Sequence, residues 1–234
     1  MLDNIVALED NYAPKDEWLR VEWNLGKRCN YDCSYCGSDI HNNFDKHMDI
    51  KVYENAILKI SDAAKKLGKI VRISFTGGEP FVHPNIIQML EFAKTNQINK
   101  ISVTTNGSLP LKKYILSLPY VNYYIFSYHF EFAEKDKIIE NIINLKNYLV
   151  ERQQNNNIHV HLMFLPGHIK DTKNLIEICN NHKIHWVIRR IRPKFNPYTN
   201  TWAHPGFSGM KTTSEKCSHP YYNKEELNFL NEYT

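Results

Sequence analysis

Three cysteines fall within eight positions, Cys29, Cys33 and Cys36 in "KRCNYDCSYCGSD" (27–39), and no fourth cysteine lies nearby. Soft thiolates at Cys-x3-Cys-x2-Cys spacing suit zinc or an iron–sulfur cluster. A closed zinc site needs a fourth ligand, for which His41 and His47 are the neighbouring candidates. A [4Fe–4S] cluster held through three of its irons leaves the fourth iron to an external ligand. The chain has five cysteines, an odd number, and its start, "MLDNIVALEDNYAPKDEWLR", lacks the basic and apolar segments of a secretory signal. Disulfides are therefore the poorer reading, and a reducing, cytoplasmic location is expected.

A second chemistry-bearing run follows at "SFTGGEPFVHP" (74–84), and a third at "TTNGS" (104–108). A glycine pair lets backbone approach a ligand closely, and Glu79 supplies an acceptor for an ammonium group. The cysteine spacing, with aromatic Tyr35 before the last cysteine, resembles the cluster loop of the radical S-adenosylmethionine (radical SAM) superfamily, and the Gly-Gly-Glu-Pro run resembles that family's second motif.

The resemblance implies that Cys29, Cys33 and Cys36 ligate a [4Fe–4S] cluster whose open iron takes the amino and carboxylate groups of S-adenosylmethionine. It further implies that Gly77, Gly78 and Glu79 hold the methionine amino group, with Tyr35, Thr105, Asn106 and Ser127 completing the cofactor pocket. "SYH" (127–129) departs from the family's frequent Ser-Leu-Asp-like run, and no glycine-rich adenine motif stands out in "HLMFLPGH" (161–168). The implied partners are a small-molecule or peptide substrate and an electron donor such as a flavodoxin or ferredoxin. Family members that modify peptides often carry a cysteine-rich extension that this chain lacks. Short strings here also echo viperin-like nucleotide dehydratases.

The elements needed to position these residues can be read from periodicity. Strands are expected at 18–25, 71–76, 100–105, 121–128, 158–165 and 184–191, alternating with amphipathic helices at 49–68, 85–96, 111–118, near 134–152 and from Asp171 onward. Asp49 and Gly68 suit the ends of the first helix. Six βα repeats imply a parallel sheet with right-handed crossovers, hence an open partial (β/α)6 TIM-like barrel whose site lies at the strand C-termini. Residues 1–194 are expected to form this core. Residues 195–234, rich in Pro, Gly, Thr and aromatics, are expected to form an irregular cover over the mouth that ends in a short helix, "KEELNFLNEY".

Substrate contacts are sought among side chains near the mouth: His129, Arg190, Arg192 and Trp202. Arg190 and Arg192 share a strand face opposite Arg189, and two guanidiniums would suit a carboxylate or phosphate. His159 and His161 share a strand face but are not read as a metal site. Cys179 suits a helix core position; Cys217 is read as an inert thiol, a hydrogen-atom donor or a remnant cluster ligand.

The net charge of +4 is spread out, so no nucleic-acid partner is expected. With 42% hydrophobic residues, a mean hydropathy of −0.50 and no apolar run of membrane-helix length, a membrane helix is not expected either. Besides the radical enzyme, two readings stay open: a non-catalytic iron–sulfur or zinc module for electron transfer or partner binding, and an activase that installs a radical on a partner enzyme.

Overall fold

The structure, a computed structural model, describes residues 17–33, 35–36, 41–191, 194–196, 201–203 and 222–233, with only the backbone described at 194–196 and 201–203. Six strands form one sheet in the order β1-β2-β3-β4-β5-β6, every neighbouring pair parallel. They are β1 (Trp18–Asn24), β2 (Ile70–Thr76), β3 (Lys100–Thr105), β4 (Tyr123–His129), β5 (Asn157–Phe164) and β6 (His185–Arg190). Helices follow them in turn: α1 (Ile50–Leu67), α2 (Ile86–Thr95), α3 (Leu111–Ser117), α4 (Lys135–Glu151), α5 (Ile169–Asn181) and α6 (Lys224–Tyr233). Because β1 and β6 are the ends of the order and do not pair, the barrel is open, as the six repeats imply.

Local chemistry sets the helix ends. Asp49 caps α1 by accepting a hydrogen bond from the Lys51 N–H at 2.8 Å, and Gly68 ends it at φ +64°. The α5 start differs from expectation. The helix begins at Ile169, and Asp171 lies in its first turn, 3.2 Å from the His168 Nδ1. Asp171 had suggested a cap because aspartate favours both the cap and the first turn.

Alternate residues of the strands turn toward the helices and form one core, in which Ile73, Phe75, Phe126 and Phe164 are at most 1% exposed. The opposite strand face is more polar. On β4 it carries Ser127 and His129, on β5 His159, His161 and Met163, and on β2 Ser74 and Thr76. Side chains on that face lie inside the half-barrel.

Two features mark the described part of the C-terminal region. The segment after β6 includes an antiparallel hairpin, β7 (Lys194–Asn196) with β8 (Thr201–Ala203). The closing helix packs on the main core. Phe229 and Leu230 join the main core, Tyr233 meets Trp186 of β6, and the Tyr222 hydroxyl donates to the Phe164 carbonyl at 2.8 Å. Thus α6 takes the place of the sixth barrel helix. Its start is fixed by a capping box: the Asn223 N–H donates to Glu226 Oε2 at 2.7 Å and the Glu226 N–H to Asn223 Oδ1 at 2.9 Å. The Gly167 N–H also donates to Glu226, pinning α6 to the β5–α5 turn. No helix among the described residues is long and apolar enough to cross a membrane.

Candidate active site

The cysteine loop leaves the C-terminal end of β1 and is anchored by backbone pairing. The Cys29 N–H donates to the Asn42 carbonyl at 2.7 Å, and the Asn42 N–H to the Lys27 carbonyl at 2.9 Å. Asn42 also shapes the return of the loop, its Oδ1 accepting from the Phe44 and Asp45 N–H groups at 3.2 and 2.9 Å. Cys33 is 4% exposed and packs with Tyr31, Tyr35, Leu165 and Ile191 in a small apolar cluster; Cys29 and Cys36 are half-buried against it. The Tyr31 N–H donates to Cys29 Sγ at 3.4 Å.

Burial raises all three thiols. Cys33 is pushed up to about 12 by burial and then by the neighbouring Cys36, Cys36 to about 11 by burial and then by Cys29, and Cys29 rises as burial outweighs its backbone hydrogen bonds. Without metal these groups are therefore neutral thiols, and binding iron must release protons.

The turn after β2 lies directly beneath this loop. The Gly78 N–H donates to the Gly26 carbonyl and the Glu79 N–H to the Arg28 carbonyl, both at 2.8 Å. A Cβ on Gly78 would stand 2.2 Å from the Arg28 oxygen, and one on Gly77, where φ is +128°, would stand 2.6 Å from the Gly26 oxygen. The close approach that requires these glycines is thus to the chain's own cysteine loop.

Glu79 is 2% exposed and accepts three hydrogen bonds from the protein. These come from the Phe81 N–H and the Thr105 hydroxyl on Oε1, both at 2.8 Å, and from the Asn106 N–H on Oε2 at 2.6 Å. Burial raises its carboxyl to about 7 although these donors and Lys113 pull it down. Any ammonium group would have to use the acceptor capacity that remains. Glu79 also caps the short 3-10 turn Pro80–Val82.

The third loop is tied to the first. Asn106 Nδ2 donates to Asn30 Oδ1 at 3.0 Å, Asn30 Nδ2 donates to Ser108 Oγ at 2.8 Å, and Asn141 of α4 holds the Gly107 and Leu109 carbonyls at 3.1 and 2.9 Å. Asn30, Asn42 and Asn141 were absent from the sequence reading, since side-chain bonds to distant backbone leave no spacing signal.

One open pocket of about 670 Å³ of empty space, solvent-continuous volume included, lies at the C-terminal ends of the first four strands. It brings together Cys29, Cys33, Cys36, Gly77, Gly78, Thr105, Asn106, Ser127 and His129, with His41. Tyr35 stands behind the wall, its ring stacked on His129 at 5.8 Å between centroids and its hydroxyl sharing a 2.5 Å hydrogen bond with His129 Nδ1. Burial raises the Tyr35 hydroxyl and lowers His129 to about 4, so His129 is neutral at pH 7.

Of the two zinc-ligand candidates, His41 lines this pocket with its Nε2 3.0 Å from Asp32 Oδ1 and its Nδ1 without a partner among the described residues. His47 instead packs against His83 at 4.9 Å between ring centroids, beside a separate small cavity.

Of the expected substrate arginines, Arg190 is placed on the other face. Arg190 follows Ile188 onto the helix-covered face, its guanidinium 5.3 Å from the centre of the Tyr222 ring. Arg189 alternates onto the open face: it is in register with Met163 and close enough to His161 to lower that imidazole. Alternation separated 189 from 190 correctly, but the sheet's packing against α6 decides which of them faces inward. Arg192 and Cys217 lie outside the described residues, and Trp202 is described only as the backbone partner of Phe195 in the β7–β8 hairpin. Cys179 is 6% exposed in the main core.

An open βα half-barrel with three thiols on the loop after β1 and a Gly-Gly-Glu turn after β2 defines a class of iron–sulfur protein. The family model described as the Radical SAM superfamily matches residues 23–180, and the chain belongs to that superfamily. Its members use a [4Fe–4S] cluster and S-adenosylmethionine.

Among curated relatives, the GTP 3′,8-cyclase of Peptoclostridium acidaminophilum is 31% identical over 153 residues, covering 60% of this chain and 46% of that protein. The S-adenosylmethionine-dependent nucleotide dehydratase of Selenomonas ruminantium is 35% identical over 92 residues, covering 39% and 31%. The chain thus spans less than half the length of these relatives. The crystal structure of Streptococcus suis SuiB superposes with a TM-score of 0.61 over 93% of this chain and 45% of that one, at 17% identity. SuiB bound to its precursor peptide SuiA gives a TM-score of 0.58 over 75% and 39%, at 18% identity. At such identities the likeness is one of fold.

The residues fit the cluster. Three soft sulfur donors line one pocket within an apolar shell, and the N–H bond to Cys29 Sγ is of the kind that tunes cluster potential. No three His, Cys, Asp or Glu side chains among the described residues are placed to hold a single ion. A cubane takes each thiolate on a different iron, so its sulfurs need not converge on one point.

Proposed function

We propose that the protein is a radical enzyme in which Cys29, Cys33 and Cys36 hold a [4Fe–4S] cluster and the pocket beside them binds S-adenosylmethionine and a small anionic substrate of the nucleotide class. When bound, the cluster supplies one electron that splits S-adenosylmethionine into methionine and a 5′-deoxyadenosyl radical able to take hydrogen from the substrate. The observation that carries this reading is the single pocket uniting the three thiols with Gly77, Gly78, Thr105, Asn106, Ser127 and His129.

The protein's part is orientation and exclusion of competing reactions. Glu79, locked by Thr105 and Asn106, fixes the turn that supports the cysteine loop and offers its remaining acceptor capacity to an ammonium group. Tyr35, held by His129, walls the pocket behind Cys36. Ser127 presents a hydroxyl to the cofactor's carboxylate or ribose.

The nucleotide class is supported by the named activities of the sequence relatives and by Arg189, which brings a guanidinium to the open face. A flavodoxin- or ferredoxin-type donor is proposed to reduce the cluster. The test is anaerobic reconstitution, then reduction with dithionite in the presence of S-adenosylmethionine and either GTP, CTP or no nucleotide. Brown protein that forms 5′-deoxyadenosine, faster with one nucleotide, is expected. A colourless zinc protein with no cleavage would support the non-catalytic module instead, and cleavage indifferent to every nucleotide would remove the substrate assignment.

A further inference from the structure

Away from the cysteine pocket, the open face carries a histidine pair that spans two strands. His159 of β5 and His185 of β6 are register partners, and their Nδ1 atoms stand 3.1 Å apart. His185 is exposed and His159 half-buried, so both are reachable from solvent. The sequence showed His159 only beside His161; the cross-strand partner appears once β5 and β6 are paired.

The two nitrogens are within hydrogen-bond distance, and the ring positions show how the rings meet. A head-on N–H···N contact would set the centroids about 5.4 Å apart, the nitrogen distance plus two ring radii of roughly 1.15 Å. They are 4.8 Å apart, with the rings inclined by 59°. The contact is therefore bent and not head-on. A metal held 2.0–2.1 Å from each nitrogen would require an N···N separation between about 2.9 Å for right-angled ligands and about 3.3 Å for tetrahedral ones, with centroids about 4.5–5.2 Å apart. Both observed distances fall inside those ranges.

We propose that His159 and His185 form a chelating site for a late first-row divalent cation such as Zn²⁺ or Ni²⁺, distinct from the cluster site. Imidazole nitrogen suits these ions and not Mg²⁺ or Ca²⁺. Burial and the neighbouring His185 lower His159, leaving its lone pair available at neutral pH. No third His, Cys, Asp or Glu among the described residues completes the site. The other coordination positions therefore go to water or to an oxygen donor on a molecule bound in the half-barrel. His161 registers with Ser127 of the main pocket, and His159 lies two residues further from the mouth, about 7 Å along the strand.

The test is calorimetric titration of NiCl2 into the full-length, cluster-reconstituted protein under anaerobic conditions, so that the cysteines are already occupied. One bound ion per chain is expected. His159→Ala and His185→Gln should each weaken binding at least tenfold, the double variant should lose little more, and His182→Ala, a histidine at the end of α5, should change nothing. Thermal melts check that each variant is folded. Absence of a binding isotherm in the parent protein, or retention of it in folded His159→Ala and His185→Gln, would show a hydrogen-bonded pair only and overturn the proposal.

Discussion

Substituting Gly78 by alanine isolates the contact between the second motif and the cysteine loop. Its φ lies outside the positive range that favours glycine, so backbone strain is not involved. The added Cβ would stand 2.2 Å from the Arg28 oxygen and 2.4 Å from the Lys27 oxygen, both backbone atoms that cannot rotate away. Relief requires the 26–28 segment to lift by roughly 1 Å, which breaks the two 2.8 Å hydrogen bonds from Gly78 and Glu79. Each bond contributes about 1 kcal/mol and overpacking costs about 1–3 kcal/mol, so the expected loss is about 3–5 kcal/mol. That is a sizeable fraction of a typical domain's stability. Because Cys29 follows this segment directly, the cheaper response is a displaced loop. Urea unfolding followed by tryptophan fluorescence should show a lower midpoint, and iron and sulfide per chain after reconstitution should fall at least twofold. A variant with the parent midpoint and full iron would refute the claim that these glycines serve the loop.

Glu79 gives a pH signature in the metal-free protein. Its folded value of about 7 lies above its ordinary value of 4.5, so the native state binds more protons between those limits and stability falls as pH rises through that window. Urea midpoints from pH 5 to 8 should therefore decline more steeply in the parent than in Glu79→Gln; equal slopes would contradict the buried carboxyl. Cys33→Ala should abolish the visible absorption of the cluster, whereas Cys179→Ala should keep it and cost about 1–2 kcal/mol as a small core truncation. Full iron in the first variant would remove Cys33 from the ligand set. Arg189→Ala should raise the KM for an anionic substrate at unchanged stability, while Arg190→Ala should lower the melting temperature through lost packing on Tyr222; the reverse pattern would mean that the faces of β6 are exchanged.

The half-barrel was legible because each repeat carries its own local signal, such as the Asp49 cap, the Gly68 stop and the apolar period of α1. The cysteine loop was legible because its chemistry is contained in eight consecutive positions. What the sequence concealed depends on how distant pieces meet. Arg189 and Arg190 alternate in any strand, but only the packing of Ile188 and Tyr222 decides which one turns inward. Gly78 also makes room for the Arg28 backbone, a contact between distant segments that the motif's spacing does not show. Glu79 was read as an acceptor for an ammonium group, and the hydrogen bonds it also accepts from Phe81, Thr105 and Asn106 were not visible in the sequence. The final helix belongs to the barrel because Phe229 and Leu230 reach the core, a placement that periodicity within "KEELNFLNEY" does not encode.

The most direct test of the central claim is the electron paramagnetic resonance spectrum of the dithionite-reduced cluster with and without S-adenosylmethionine. An iron left open by three cysteines predicts a marked shift in g values on addition of the sulfonium compound. A reduced-cluster spectrum that stays unchanged at saturating S-adenosylmethionine, as a fourth protein ligand such as His41 would produce, contradicts it.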